Sequence, residues 1–332
     1  MPAGITLVIS RDQTTHPARR ALEEAIAAGA SRAGLEVLVV GHLYDLQPDS
    51  PGLQAARALE GDLVVLAWLY PRAAHWILDR HGIAGRFGLT QLAEEQQAEE
   101  PDNDGSERVA SQRPVPPRTV YCLDLRWHAE AGPYLDEVQR LVAERAGPLD
   151  SGAAFSGGQE TAAGPRTQGE PLGTAGVRCI HETAGRRWYP VIDYSRCTNC
   201  MECIDFCLFG VYGLDSRDTL IVEQPDNCRK GCPACSRVCP ESAILFPQHK
   251  SPAIAGGVTD RDGRKIDLSH LFGAPEAAAG TIDLAARERD EHLLASGRPA
   301  AGPRVGRPDE RPDSPPPDDL DRLLDQLDAL DL

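Results

Sequence analysis

The runs Cys197-Thr198-Asn199-Cys200-Met201-Glu202-Cys203-Ile204-Asp205-Phe206-Cys207 and Cys228-Arg229-Lys230-Gly231-Cys232-Pro233-Ala234-Cys235-Ser236-Arg237-Val238-Cys239-Pro240 hold eight of the chain's ten cysteines. Their spacings are C-x2-C-x2-C-x3-C and C-x3-C-x2-C-x3-C-P. In a secreted mini-protein such density means disulfides; in a chain of 332 residues with no visible leader it points to metal. Cysteines this close in sequence cannot all pair without strain. Two-residue gaps let one short loop wrap three thiolates around a cubane. The fourth thiolate must come from elsewhere, so each run lends its last cysteine to the other cluster. Structural zinc is the competing reading, because four-cysteine zinc sites also use C-x2-C pairs. Those sites combine two doublets, whereas each run here offers a triplet plus one.

On these residues, the region at about 188–248 resembles the two-cluster, bacterial-type ferredoxins. The resemblance implies two [4Fe–4S] clusters. Cys197, Cys200, Cys203 and Cys239 would hold cluster 1, and Cys207, Cys228, Cys232 and Cys235 would hold cluster 2. It further implies an α+β, ferredoxin-like domain of two pseudo-symmetric halves, each built from strand, ligand loop and short helix, with electron transfer as its activity. Trp188–Tyr194 and Thr219–Glu223 are the expected main strands, and Ile244–Phe246 closes the end. The sequence departs from the family twice. Leu208 replaces the usual proline after the fourth cysteine, and the gap from Cys228 to Cys232 is one residue longer than the commonest form. The longer gap bears on hydrogen bonding to that cluster, and so on its potential.

Arg196, Arg229, Lys230 and Arg237 lie beside the ligands. They either offset the negative charge of a four-thiolate cluster or are ordinary solvated bases. Outside the motif, Cys122 falls in an apolar strand and reads as a buried free thiol. Cys179 is open between a structural and a redox role, with His181 two residues later.

Upstream, residues 1–90 read as β-α-β-α-β-α. Ile5–Ser10, Leu35–Val40 and Asp62–Leu69 are short apolar strands; Ala18–Ala33 and Pro71–Arg80 are helices. Residues 91–117 break the pattern with an acidic surface excursion. Strand Thr119–Leu125 and helix Pro133–Arg145 resume it. Strand–helix alternation with short turns predicts an α/β fold with a mostly parallel sheet, flavodoxin-like or chelatase-like. No G-x-G-x-x-G follows the first strand and no G-x-x-x-x-G-K-[ST] occurs, so a dinucleotide or P-loop site has no support. His16, His42, His75 and His128 each follow a strand end, the edge where open α/β sheets bind ligands. Asp12, Tyr44, Asp45, Arg72, Arg126 and Trp127 share that edge. Histidines there suit a metal or a tetrapyrrole; the plainer alternative is that polar residues collect in loops.

The stretch Leu63–His75, with Leu69-Tyr70-Pro71-Arg72-Ala73-Ala74-His75, is similar to the segment of the class II chelatases of cobalamin and sirohaem synthesis that bears their second active-site histidine. Leu7-Val8-Ile9-Ser10-Arg11-Asp12 stands where that family has a glycine-flanked histidine before Ser-Arg-Asp. Here Val8 or Ile9 takes its place, and His16 is the available substitute. The resemblance implies a metal or tetrapyrrole site at this edge.

A net charge of −16 argues against nucleic acid and against an anionic membrane surface. The longest apolar stretch, Leu63–Tyr70, is well short of the roughly 20 residues of a spanning helix. The start, Met1-Pro2-Ala3-Gly4, lacks a basic n-region, so a soluble, cytoplasmic protein is expected. The expected division is an α/β domain at 1–146, a linker at 147–176, the cluster domain at 177–250, a helical extension at 251–298, a Pro-rich linker at 299–317 and an acidic amphipathic helix at 318–332. Linkers and tail are expected to be disordered. In the last segment Leu320, Leu323, Leu324, Leu327 and Leu330 share one face, which suits docking to partner proteins. The leading function is an iron–sulfur electron carrier or redox adaptor serving redox partner proteins. The alternative is a redox-linked enzyme with a chelatase-like site at the histidine edge.

Overall fold

The computed structural model describes residues 4–93, 107–114, 117–146, 176–182, 184–257 and 280–302. Its first layer system is a sheet with helices on both faces. The elements are β1 (Ile5–Ser10), α1 (Pro17–Arg32), β2 (Glu36–Val40), α2 (Pro51–Arg57), β3 (Asp62–Ala67), α3 (Pro71–Arg80), β4 (Arg86–Gly88), α4 (Val109–Gln112), β5 (Thr119–Asp124), α5 (Gly132–Ala146) and β6 (Val177–Cys179). The strand order is β4-β5-β3-β1-β2-β6, and each neighbouring pair is parallel. All residues of β1 and β3 are buried, as strands covered on both faces should be. Prolines open α1, α2 and α3 at the first turn, where no amide is needed.

Alternation within the strands divides the core. Leu7, Ile9, Val37 and Leu66 pack with Leu22 and Ile26 of α1 and Tyr134 and Val138 of α5. Val8, Leu38, Val65 and Cys122 face α2 and α3 instead. Tyr189, Val191 and Leu245 of the cysteine region join this second core, so the cysteine region is packed onto the helical layer rather than tethered beside it.

That region contains β7 (Val191–Ile192), α6 (Glu202–Phe206), β8 (Tyr212–Leu214), β9 (Leu220–Val222), α7 (Ala234–Val238), β10 (Ile244–Leu245) and α8 (Pro252–Ala255), followed by α9 (Gly280–Ala295). β7 pairs with β10 and β8 with β9, both antiparallel. Polar contacts fix its seat. Tyr44 and Tyr189 stack at 4.3 Å, Tyr189 N donates to Tyr44 Oη (2.7 Å), and Tyr189 Oη donates to Tyr44 O (3.0 Å). Asp45 accepts from Arg187 N and Gln248 Nε2, and Arg80 donates to Val222 O. Arg72 pairs with the buried Asp193 and donates to Ser242 O (2.7 Å). Gly256 sits at φ 104°, a conformation that favours glycine, and a side chain there would also crowd Ala73, its Cβ 3.2 Å from that of Ala73.

The structure differs from the sequence expectation at three places. Val177–Cys179, assigned to the cluster domain, extends the α/β sheet beside β2. The end of the acidic excursion is not a free surface loop: Val109 is buried among the cysteine-region core, and Val109 N and Ala110 N donate to Cys197 O and Tyr194 O. β4 and β8 had no sequence counterpart, while α2 fills the helix position that the β-α-β-α-β-α reading left without bounds. The tail 318–332 lies outside the described residues, as do most of the expected linkers. No helix among the described residues is long and apolar enough to cross a membrane.

Candidate metal centre

Both cysteine runs use a similar backbone plan. The residue before the second cysteine is left-handed, Asn199 at φ 61° and Gly231 at φ 87°. Asparagine tolerates this conformation, and here its side chain also ties the loop to the β8–β9 hairpin, with Nδ2 donating to Asp218 O and Oδ1 accepting from Leu220 N. The third cysteine then enters a short helix, Cys203 in α6 and Cys235 in α7. The fourth, Cys207 or Cys239, is the extended C-cap of that helix, its amide bonded to the third cysteine's carbonyl. The extra residue of the second run therefore falls at 229–230, and the plan also differs at the residue after the second cysteine, where Met201 is left-handed (φ 68°) and Pro233 is not (φ −104°).

The cap geometry separates the last cysteine from its own triplet. Cys197, Cys200, Cys203 and Cys239 line one cavity of about 300 Å³, solvent-open space included. Cys207, Cys228, Cys232 and Cys235 line another of about 310 Å³. Burial first, and then mutual repulsion, raise the thiols. Cys197 and Cys232 are pushed up to about 11. Cys203 is raised further by burial and by Cys239, Cys197 and Cys200; Cys235 is raised by burial and by Cys207 and Cys228. Four thiolates crowded round one cavity coexist only around a cationic core, so loading such a site releases protons.

Among the described residues no group of three or more His, Cys, Asp or Glu side chains is placed to hold a single metal ion. Zinc needs four sulfurs about 2.3 Å from one centre. A cubane binds each thiolate through a different iron and so suits sulfurs spread round a cavity. The donor set and its spacing therefore fit a cluster better than one ion.

The histidine edge is built differently. His16 is the exposed N-cap of α1 and makes no side-chain cap bond. His42 is buried 3.5 Å from Asp45, and burial holds it below the usual imidazole range. His75 lies in the core of α3, edge-on to Trp76 and Phe87, and burial lowers it to about 4. His128 packs on Tyr134. They do not come together as one metal site, and Tyr44, Asp45 and Arg72 serve the contact with the cysteine region. Arg126 pairs with Asp124 over the Tyr70 ring, and Asp12 accepts from Arg19 and Thr14. Trp127 packs against the α1–α5 core. Cys122 is fully buried and its thiol raised by burial; Cys179 is exposed on β6.

Three neighbours of the cavities had no motif to announce them. Tyr212 donates to Cys235 Sγ (3.1 Å), Trp188 Nε1 donates to Cys232 O (3.1 Å), and Arg289 of α9 lines the second cavity. Of the flanking bases, Arg237 pairs with Glu288 (2.9 Å) and Lys230 is exposed.

Among curated proteins, the chain is 48% identical over 66 residues to an uncharacterized ferredoxin of Methanocaldococcus jannaschii. The chain carries a ferredoxin-like region. The match covers 20% of this chain and 44% of that relative, so it spans less than half of the relative's length. No family model and no solved structure matches the chain.

Proposed function

We propose that this protein transfers electrons through two [4Fe–4S] clusters, one in each cysteine cavity. The observation that carries the proposal is the sorting of the eight motif cysteines into two fours, each a triplet from one run plus the last cysteine of the other. The ferredoxin-like region supports iron–sulfur electron transfer as the chemistry. Each cluster would take up and release one electron, and no side chain need act as acid or base. The α/β layer holds the cluster region rigidly and offers redox partner proteins a surface. The chelatase-like alternative gains no specific observation, because the edge it needs is occupied by ion pairs and by the cysteine region.

Anaerobically purified full-length protein is expected to hold about eight iron and eight sulfide, two cubanes' worth. Iron and sulfide analysis with EPR of the reduced protein measures this. Stoichiometric zinc without sulfide overturns it. The tail at 318–332 is proposed as a partner-docking helix, and deleting it should leave cluster content unchanged while weakening capture of the redox partner.

A further inference from the structure

α9 belongs to the second cavity. Ala285 is fully buried in a small core with Phe206, Cys232 and Ala234. Arg289 is only 3% exposed, its guanidinium carbon sits 4.6 Å from the centre of the Phe206 ring, and it lines the cavity with Cys207, Cys228, Cys232 and Cys235. Arg289 Nη2 donates to Gly302 O (2.6 Å), which fixes the side chain inward. Among the lining residues of the first cavity there is no such cation; the charged side chains there are Glu202, which is exposed, and Glu241, which pairs with Arg108.

We infer that Arg289 sets the electron affinity of the second cluster, so that the first electron delivered to this protein by a one-electron donor comes to rest on the cluster of Cys207, Cys228, Cys232 and Cys235. The inference rests on the two-cluster reading above. Reduction adds one electron to a cluster that is already net negative, with no bond broken and no proton moved. A buried cation favours the reduced form, and so does a hydrogen bond to a ligand sulfur; each cavity has such a bond, Tyr212 to Cys235 in the second and Ala243 N to Cys239 in the first, so the cation is what distinguishes the second. The carboxylates at the first cavity act in the opposite sense, weakened by solvent and by Arg108. The other charges facing the second cavity come as pairs. Glu288 opposes Arg289 at Cys232 but is tied to Arg237 (2.9 Å), and Asp290, 3.1 Å from Arg289, also accepts from Gly302 N and Ala301 N. Asp290 offsets part of the Arg289 charge, but neither carboxylate lines the cavity, and Arg289 is the charged side chain among its lining residues.

The test is an EPR-monitored redox titration of the full chain, with the two signals assigned through Cys203→Ser and Cys232→Ser. In the wild type the signal lost in Cys232→Ser is expected to appear at the higher potential. Arg289→Gln should lower that potential by a tenfold or greater loss of electron affinity, ~59 mV for one electron, with the other cluster unmoved, and Arg289→Lys should restore most of it. Reduction of the other cluster first in the wild type overturns the inference, whatever the variant does. So does an Arg289→Gln protein that keeps eight iron and shows no shift, or shifts both clusters equally. Fewer than two clusters in the wild type instead overturns the two-cluster reading itself.

Discussion

Around the first cavity the supporting residues come from the α/β layer. Arg72 at the start of α3 grips Asp193 and Ser242 O, and Arg108 grips Arg196 O and Glu241. Around the second they come from the cysteine region itself and from α9: Tyr212, Trp188, Phe206 and Arg289. The loops follow similar courses, yet one site leans on charged groups of a neighbouring layer and the other on aromatic rings and the buried Arg289, paired with Asp290. A duplicated ligand motif thus fixes where sulfurs go, while unrelated surroundings would fix the potential of any cluster bound there. Burial, charge and hydrogen bonds to sulfur are separate levers on a cluster's potential; here a ligand sulfur accepts a hydrogen bond in each cavity, and the charge lining them differs.

The sharpest way to break this comparison is to remove the crossed ligands. Cys207→Ser, although in the first run, should abolish the second cluster and spare the first, and Cys239→Ser the reverse, each taking iron from about eight to about four. If Cys207→Ser loses the same EPR signal as Cys203→Ser, the cavities do not sort as described. Next in size, a chain ending before residue 280 should bleach about half of its cluster absorption in air much faster than the full chain, with the second cluster's signal going first. Equal loss of both signals would mean that α9 shelters neither cavity in particular.

Arg72→Ala should act on the first site alone. Asp193 is 1% exposed; burial alone would raise its carboxyl, but Arg72, with Ser195, holds it below the usual range. Leaving that buried charge with only Ser195 and the more distant Arg196 (4.0 Å) should cost about 3 kcal/mol in denaturant unfolding, the low end for a broken buried pair. Asp193→Asn in the same chain should recover part of the loss; no recovery would place the effect elsewhere in the α3 contact. The smallest effect is expected from Tyr212→Phe, which deletes one bond to Cys235 Sγ. It should make reduction of the second cluster harder by about 0.5–1.5 kcal/mol and leave the first cluster's potential unchanged.

Much of the α/β layer is legible in the sequence because its strands are short apolar runs between helices opened by proline. Ile5–Ser10 and Pro71–Arg80 have the same limits in the structure as in the pattern. β6 is not legible, since Val177-Arg178-Cys179 carries no periodicity and forms a strand only because β2 offers unpaired edge groups. The polar residues at the strand ends were misleading for a related reason. Tyr44, Asp45 and Arg72 have the chemistry of a ligand edge, and whether a small molecule or another part of the chain takes those bonds depends on what packs there.

The sequence by itself determined the chemistry of the cysteine region: which residue type, how many, and at what spacing, because a short loop can present three thiolates only at such intervals. It also determined the alternation that builds a parallel sheet. The cysteine spacing also carried the crossing of each run's last cysteine to the other set. Only the tertiary structure decided that α3 supports the first site and that Arg289 reaches the second from a helix far along the chain. Those are contacts between segments distant in sequence, formed by packing of apolar faces and pairing of buried charges, and no local pattern encodes which distant partner a buried arginine will meet.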